Sequence, residues 1–130
     1  MMTTKDIGDF GERLACKYLK KNRYKILENN LHVSHNELDI VALDKKHGFI
    51  VFVEVKTRSV ESDLYSPFGR PADAVTKSKQ KRTVEAARGF LRSSPKMSKY
   101  QPRFDVIEVY LDKESRTLLE INHIENAFGV

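Results

Sequence analysis

A chain of 130 residues, with 40% hydrophobic and 32% charged residues and a net charge of +5, suits one compact domain, long enough for a core and too short for a second. No apolar run reaches membrane-spanning length, the opening MMTTKDIGDF lacks the apolar region of a signal peptide, and the one cysteine, Cys16, excludes an internal disulfide and a cysteine-based zinc site. The expectation is a single domain over residues 1–130, in the reducing cytoplasm and without membrane contact.

Thr3, with Asp6 three residues later, starts a helix over about residues 5–22 through a variant of the capping box. Its apolar stripe is Ile7, Phe10, Leu14, Tyr18 and Leu19, and Gly8 and Gly11 on or beside it permit close approach to a sheet. Glu12 falls at the edge of that stripe, where spacing alone leaves it either a solvated helix residue or a carboxylate bordering a cleft. The basic cluster Lys20, Lys21, Arg23 and Lys25 at the helix exit complements the helix dipole. The stretch NRYKILENNL then reads as a turn and a first strand, with Tyr24, Ile26 and Leu31 turned inward. His32 and His35 share an H-x-x-H spacing, but no further soft ligand follows, and no zinc site is expected.

The stretch NELDIVALDKKHGFIVFVEVKTR holds two β-rich runs, residues 37–43 and 49–57, joined by a polar segment ending in Gly48, which is a hairpin signal. Alternation puts Glu37, Asp39, Val41 and Leu43 on one face of the first run, and Ile50, Phe52, Glu54 and Lys56 on one face of the second. A four-residue loop pairs Asp44 with Phe49, which sets Asp39 opposite Glu54 and Glu37 opposite Lys56; a five-residue loop would separate them. Two facing carboxylates repel, and burying them without counter-charge is costly or forces one to stay protonated. Mg²⁺, which keeps several waters and takes few protein oxygens, resolves that conflict with Asp39, Glu54 and the Val55 backbone carbonyl. Lys56 beside Glu54 could then orient a nucleophile or hold a phosphate. A cross-strand salt-bridge patch on a solvated face has the same spacing, but the apolar neighbours Val41, Leu43, Ile50 and Phe52 favour a covered face.

Residues 59–75 contain two prolines and a glycine and read as a long loop, in which Phe68, Gly69 and Arg70 either meet a substrate backbone or belong to a plain connector. No glycine-rich phosphate-cradling motif is present. A second helix follows over residues 76–92, with Val84, Ala87 and Leu91 as its buried row. Extended backward, that row reaches Gln80 and Lys77, as in a helix whose first turns border a wet cavity or simply start in solvent. Between residues 76 and 103 nine positive residues stand against one negative, a local net of +8 that leaves −3 for the remainder. This asymmetry suits a phosphate-binding surface beside an acidic site, and the scarcity of aromatic residues there points to backbone contact with little sequence readout. Two closing strands, residues 103–111 and 118–124, complete the chain, with Asp105 the odd member of an apolar row and expected to cap a neighbouring loop.

Glu12, then Glu37-Leu38-Asp39, then Glu54-Val55-Lys56 resemble the PD-(D/E)XK nuclease signature as found in the YraN family of uncharacterised bacterial proteins. The blocks FGERLACKYLKKNRYKILENN, VFVEVKTR, AVTKSKQKR and RFDVIEV, in this order, extend the resemblance over nearly the whole chain. At one position the chain departs from the pattern: Asn36, preceded by His35, stands where the family usually has Gly, and Asn tolerates a positive φ. The resemblance implies a restriction-endonuclease-like three-layer α/β core, a mixed sheet of about five strands flanked by α-helices. It also implies a metal-dependent endonuclease hydrolysing phosphodiester bonds in DNA with Mg²⁺ or Mn²⁺. Glu12, Asp39, Glu54 and Lys56 would form the catalytic set, Glu12 reaching the cleft from the first helix, with Glu37 auxiliary. Lys77, Gln80, Lys81, Arg82 and Arg58 are the expected DNA contacts. Similarity to Holliday-junction resolvases, which share this core, adds branched DNA and a homodimer as expectations. The alternative is a nucleic-acid-binding module that keeps the nuclease fold without cleaving.

Overall fold

The computed structural model describes residues 2–61 and 75–129. Helix α1, Thr4–Lys21, begins through a complete capping box: the Asp6 amide donates to the Thr3 hydroxyl at 3.1 Å and the Thr3 amide donates to the Asp6 carboxylate at 3.0 Å. Its end is closed by Arg23 in the left-handed conformation (φ 70), with the amides of Asn22, Arg23 and Tyr24 donating to the last helical carbonyls. Strands β1 (Lys25–Val33), β2 (Asn36–Asp44) and β3 (Phe49–Val60) follow, then helix α2 (Lys77–Arg92), a short 3-10 turn (Pro95–Met97), and strands β4 (Gln101–Asp112) and β5 (Leu118–Phe128). The five strands form a sheet in chain order. Every neighbouring pair is antiparallel except β3 and β4, which run parallel because α2 crosses between them. No described helix is long and apolar enough to cross a membrane.

Apolar alternation along the strands divides the core into two layers. Ile40, Ala42, Val51, Val53, Ile107 and Val109 pack with Ala15 and Leu19 of α1, whereas Val41, Leu43, Ile50, Phe52 and Phe104 pack with Val84, Ala86 and Ala87 of α2. A mixed five-stranded sheet between two helices is the restriction-endonuclease-like three-layer core expected from the sequence. Gly11 lets α1 lie directly on β3, since a Cβ there would overlap the Thr57 side chain. Gly8, expected to serve the same purpose, has open space around it.

The hairpin between β2 and β3 uses the four-residue loop: Asp44 pairs with Phe49, and Gly48 turns the chain at φ 77. Ser34, at φ 57, makes the turn from β1 to β2, so Asn36 sits in a strand position paired with Val33 and has no need of a positive φ. Strand β3 runs past Thr57 to Val60 because the parallel ladder with β4 continues as far as Val60 and Asp112, a long-range constraint absent from the local sequence. Residues 62–74, and with them Phe68, Gly69 and Arg70, lie outside the described residues.

Candidate functional site

The ladder between β2 and β3 runs from Asp44 and Phe49 to Ile40 and Val53 and stops there. One position further, the Val55 amide donates to Asp39 Oδ2 at 2.9 Å. Side-chain alternation breaks at the same residue, for Ile40 belongs to the α1-side layer and Leu38 to the α2-side layer. Asn30, which lies across from Asp39 on β1, is in the left-handed conformation (φ 50). Asp39 still meets Glu54 side chain to side chain, as the four-residue loop predicts, while also taking the Val55 amide. The second expected pairing changes: Glu37 is paired with His32 of β1, with its Oε2 4.0 Å from His32 Nε2, beyond the end of the ladder with β3.

Glu54 is 7% exposed, on the α2 side of the sheet. Lys56 Nζ lies 3.8 Å from its Oε1, and Lys79 Nζ of α2 lies 3.7 Å from the same atom. Burial, and after it the Asp39 carboxylate, push the Glu54 carboxyl up to about 7, against the opposing charges of Lys79 and Lys56. Near neutral pH this acid is therefore half protonated, and Asp39, Glu54, Lys56 and Lys79 form one electrostatically connected group.

Helical spacing alone does not bring Lys79 to the site, because it runs the buried row of α2 through Val84, Gln80 and Lys77. The buried side consists of Thr83, Val84, Ala86 and Ala87, which brings Lys79, one turn before Thr83, to its edge and leaves Lys77 exposed. The small residues Thr83 and Ala86 were the available signal. Gln80 is half-buried and donates from Nε2 to the Val75 carbonyl at 2.8 Å. Lys81 and Arg82 are exposed, and Arg58 is half-buried on β3, across the ladder from Tyr110.

Glu12 is half-buried on α1. Burial raises its carboxyl first; Asn30 opposes, and the carboxylates of Asp39, Asp9 and Glu37 add to the rise. Glu12 lines a cavity of about 1090 Å³ together with Glu37, Asn30 and Cys16. Cys16 donates to Asn29 Oδ1 at 3.0 Å and its thiol is pushed up by burial, which makes it a poor nucleophile. Since Asp39 acts on both Glu12 and Glu54, it links the α1-side cavity with the acidic pair on the α2 side.

Glu108 is a second residue for which the sequence suggested no role. In the parallel ladder it stands across from Lys56, it is 1% exposed, and its Oε1 accepts from Asn122 Nδ2 at 2.8 Å. Its Oε2 is buried without a hydrogen-bond partner among the described residues. Only the non-local register of β3 and β4 brings it there. Among the described residues no three His, Cys, Asp or Glu side chains converge as a metal cage. The donors that could hold an ion are the Asp39 and Glu54 carboxylates with a main-chain carbonyl, a hard-oxygen set suited to a cation that keeps most of its waters.

A family model described as "Uncharacterised protein family UPF0102" matches residues 11–109, a span that includes Glu12, Asp39, Glu54, Lys56 and all of α2. A UPF0102 protein of Caldanaerobacter subterraneus subsp. tengcongensis is 48% identical over 124 residues, covering 95% of each chain. One from Clostridium perfringens is 44% identical over 126 residues, covering 97% of this chain and 96% of the relative. A third, from Desulforamulus reducens, is 41% identical over 123 residues and 95% of each chain.

Proposed function

This chain belongs to the uncharacterised protein family UPF0102, a PD-(D/E)XK-like family also called YraN, and from that premise we propose that it is a metal-dependent endonuclease hydrolysing phosphodiester bonds in DNA. The observation that carries the reading is the buried Glu54, pushed up to about 7 by burial and Asp39, with lysines at 3.7 and 3.8 Å. Two crowded oxygen acids of this kind fit Mg²⁺ or Mn²⁺, held by Asp39, Glu54 and the Val55 carbonyl. Such an ion, when bound, supplies Lewis acidity and lowers the pKa of water. Lys56 orients the nucleophile and stabilises negative charge developing on the phosphate, and Lys79 adds a second positive charge from α2. Glu12 assists from α1, with Glu37 auxiliary.

Lys77, Lys81 and Arg82, together with Gln80 and Arg58, contact the DNA backbone without reading sequence. Branched DNA as substrate and a homodimer as the working unit complete the proposal. A cleavage panel over duplex, nicked, flapped and branched DNA with Mg²⁺ or Mn²⁺ tests it. Metal-dependent cleavage, lost in Glu54→Ala and in Lys56→Ala, supports the reading. A protein inert across the whole panel sinks it.

One observation favours a second reading, a nucleic-acid-binding module with a nuclease-like fold and no cleavage. Lys56 and Lys79 already offset the charge of Glu54 without an ion. Calorimetric metal titration separates the two: binding that disappears in Asp39→Ala supports the enzyme, and no binding at millimolar metal leaves the binder.

A further inference from the structure

At the start of β3, away from Glu54 in the middle of the strand, β3 and β4 meet the end of α1 around a buried ion network. Asp105, expected to cap a loop, is fully buried and accepts the Asn126 amide of β5 at 2.9 Å, where Asn126 adopts φ 51. Arg103, 7% exposed, donates from Nε and Nη2 to the two Asp105 oxygens at 2.9 and 2.8 Å, and from Nη2 to the Tyr24 hydroxyl at 2.8 Å. His123 Nε2 lies 2.7 Å from Asp105 Oδ2, and its Nδ1 lies 3.0 Å from the Tyr18 hydroxyl. The guanidinium is flanked by the rings of Phe49 and Tyr24, 5.0 and 5.9 Å from their centroids. Arg103, counted from the sequence among the basic surface residues, is thus a rigidly held interior group.

On the remaining edge of the guanidinium Nη1 has, among the described residues, only an ion pair. Nη1 makes no hydrogen bond among the described residues and lies 4.0 Å from Asp44 Oδ2, beyond hydrogen-bond reach. Asp44 is itself held by His47, whose Nδ1 lies 2.8 Å from Oδ2 and 3.0 Å from Oδ1. Arg103 lines a cavity at this point. That cavity measures about 630 Å³, and Lys21, Arg23 and Lys46 add three positive charges to that of Arg103, against Asp44 and Glu125.

A guanidinium whose position is fixed by Asp105, Tyr24 and two rings loses little freedom when it grips a further anion. With Arg103 paired to Asp105, the cations Lys21, Arg23 and Lys46 still outnumber Asp44 and Glu125 around the cavity, a positive surplus that suits an anion, and the volume exceeds that of a bare phosphate. We propose that this cavity is a phosphate-monoester site, taking the terminal phosphate of a nucleic-acid strand or the same group free in solution. It lies roughly 17 Å along β3 from Glu54 at the usual strand rise. The site does not depend on the metal-dependent reading of Asp39 and Glu54.

Titration of the full chain with inorganic phosphate, without divalent metal and followed by calorimetry, is the test. Saturable binding is expected in the wild-type protein, weakened about tenfold or more in Lys21→Glu/Lys46→Glu and in Arg103→Lys, which keeps the charge but loses the planar fork. Should Arg103→Lys fail to fold, the double variant decides, because both of its side chains are exposed. Short single strands with a 5′-phosphate or a 5′-hydroxyl then identify the source. A preference for the phosphorylated strand that the double variant loses assigns the strand end, and equal affinity for both strands assigns free phosphate. No saturable phosphate binding by the wild-type chain, or unchanged affinity in the double variant, overturns the proposal.

Discussion

Lys79 of α2 lies 3.7 Å from Glu54 Oε1 of β3, closer than Lys56, which shares the strand with Glu54 and lies at 3.8 Å. The helix that crosses over from β3 thus returns a cation to the acid it left behind. Of the two lysines, Lys79 has the larger influence on the Glu54 carboxyl. Lys79→Ala should therefore raise that carboxyl above its value of about 7, by roughly half a unit to one unit. Carboxyl-carbon NMR titration of Glu54 reads the shift directly. Lys77→Ala, exposed at the start of the same helix, should leave it in place. An unmoved titration in Lys79→Ala would remove Lys79 from the site.

Glu54 also makes stability depend on pH in a stated direction. Its carboxyl lies at about 7 in the fold against an ordinary 4.5. Protonated Glu54 is favoured by folding, so the stability it contributes is fully present below 4.5 and is lost as pH rises through about 7. Glu54→Gln, similar in size and neutral, should match the wild type near pH 4.5 and exceed it by roughly 2–3 kcal/mol near pH 8. Urea denaturation at the two pH values measures the difference. The same stability change at both would mean that burial does not set the ionisation of Glu54.

Helix α1 offers a paired test of how the fold is held together. A Cβ at Gly11 would overlap the Thr57 side chain, and a Cβ at Gly8 would meet nothing within 4 Å. Gly11→Ala must push α1 off the sheet and should cost about 2 kcal/mol or more, as overpacking does. Gly8→Ala should stabilise by roughly 0.5–1 kcal/mol through helix propensity alone. Thermal unfolding of the two variants should therefore move in opposite directions. A neutral Gly11→Ala would show that α1 can shift without loss.

Helix caps, the hairpin loop and the alternating strands were legible because each depends on residues close in sequence. Thr3 with Asp6, and Asp44 with Phe49 across Gly48, are of this kind. Asp39 shows where local counting ends. The alternation of β2 breaks there, beside the left-handed Asn30 of the neighbouring strand, and the Asp39 carboxylate takes the Val55 amide. Glu108 comes beside Lys56 only through the parallel register of β3 and β4, and Arg103 is held inside by Asp105, two residues on along β4, and by Tyr24 ahead of β1, with His123 of β5 bonded in turn to Asp105. Charge counting placed Arg103 on a basic surface, since a count of charges holds no information about burial.

The division of labour between the α2 surface and the acidic pair can be tested on DNA binding without cleavage. Lys77, Lys81 and Arg82 are exposed, and if they contact phosphates, affinity should fall steeply with salt because each neutralised phosphate releases condensed counterions. Replacing all three should flatten the logarithmic salt slope by about 0.9 per lost contact on duplex DNA, equally for every sequence. Glu54→Ala should behave differently. It removes an acid that is half ionised near neutral pH, so metal-free DNA affinity should hold or improve. Fluorescence anisotropy over a range of salt, with divalent metal chelated, measures both variants. A salt slope unchanged by the triple replacement, or metal-free affinity in Glu54→Ala reduced as far as in the triple variant, would break the separation between a basic binding helix and an acidic pair on the strands.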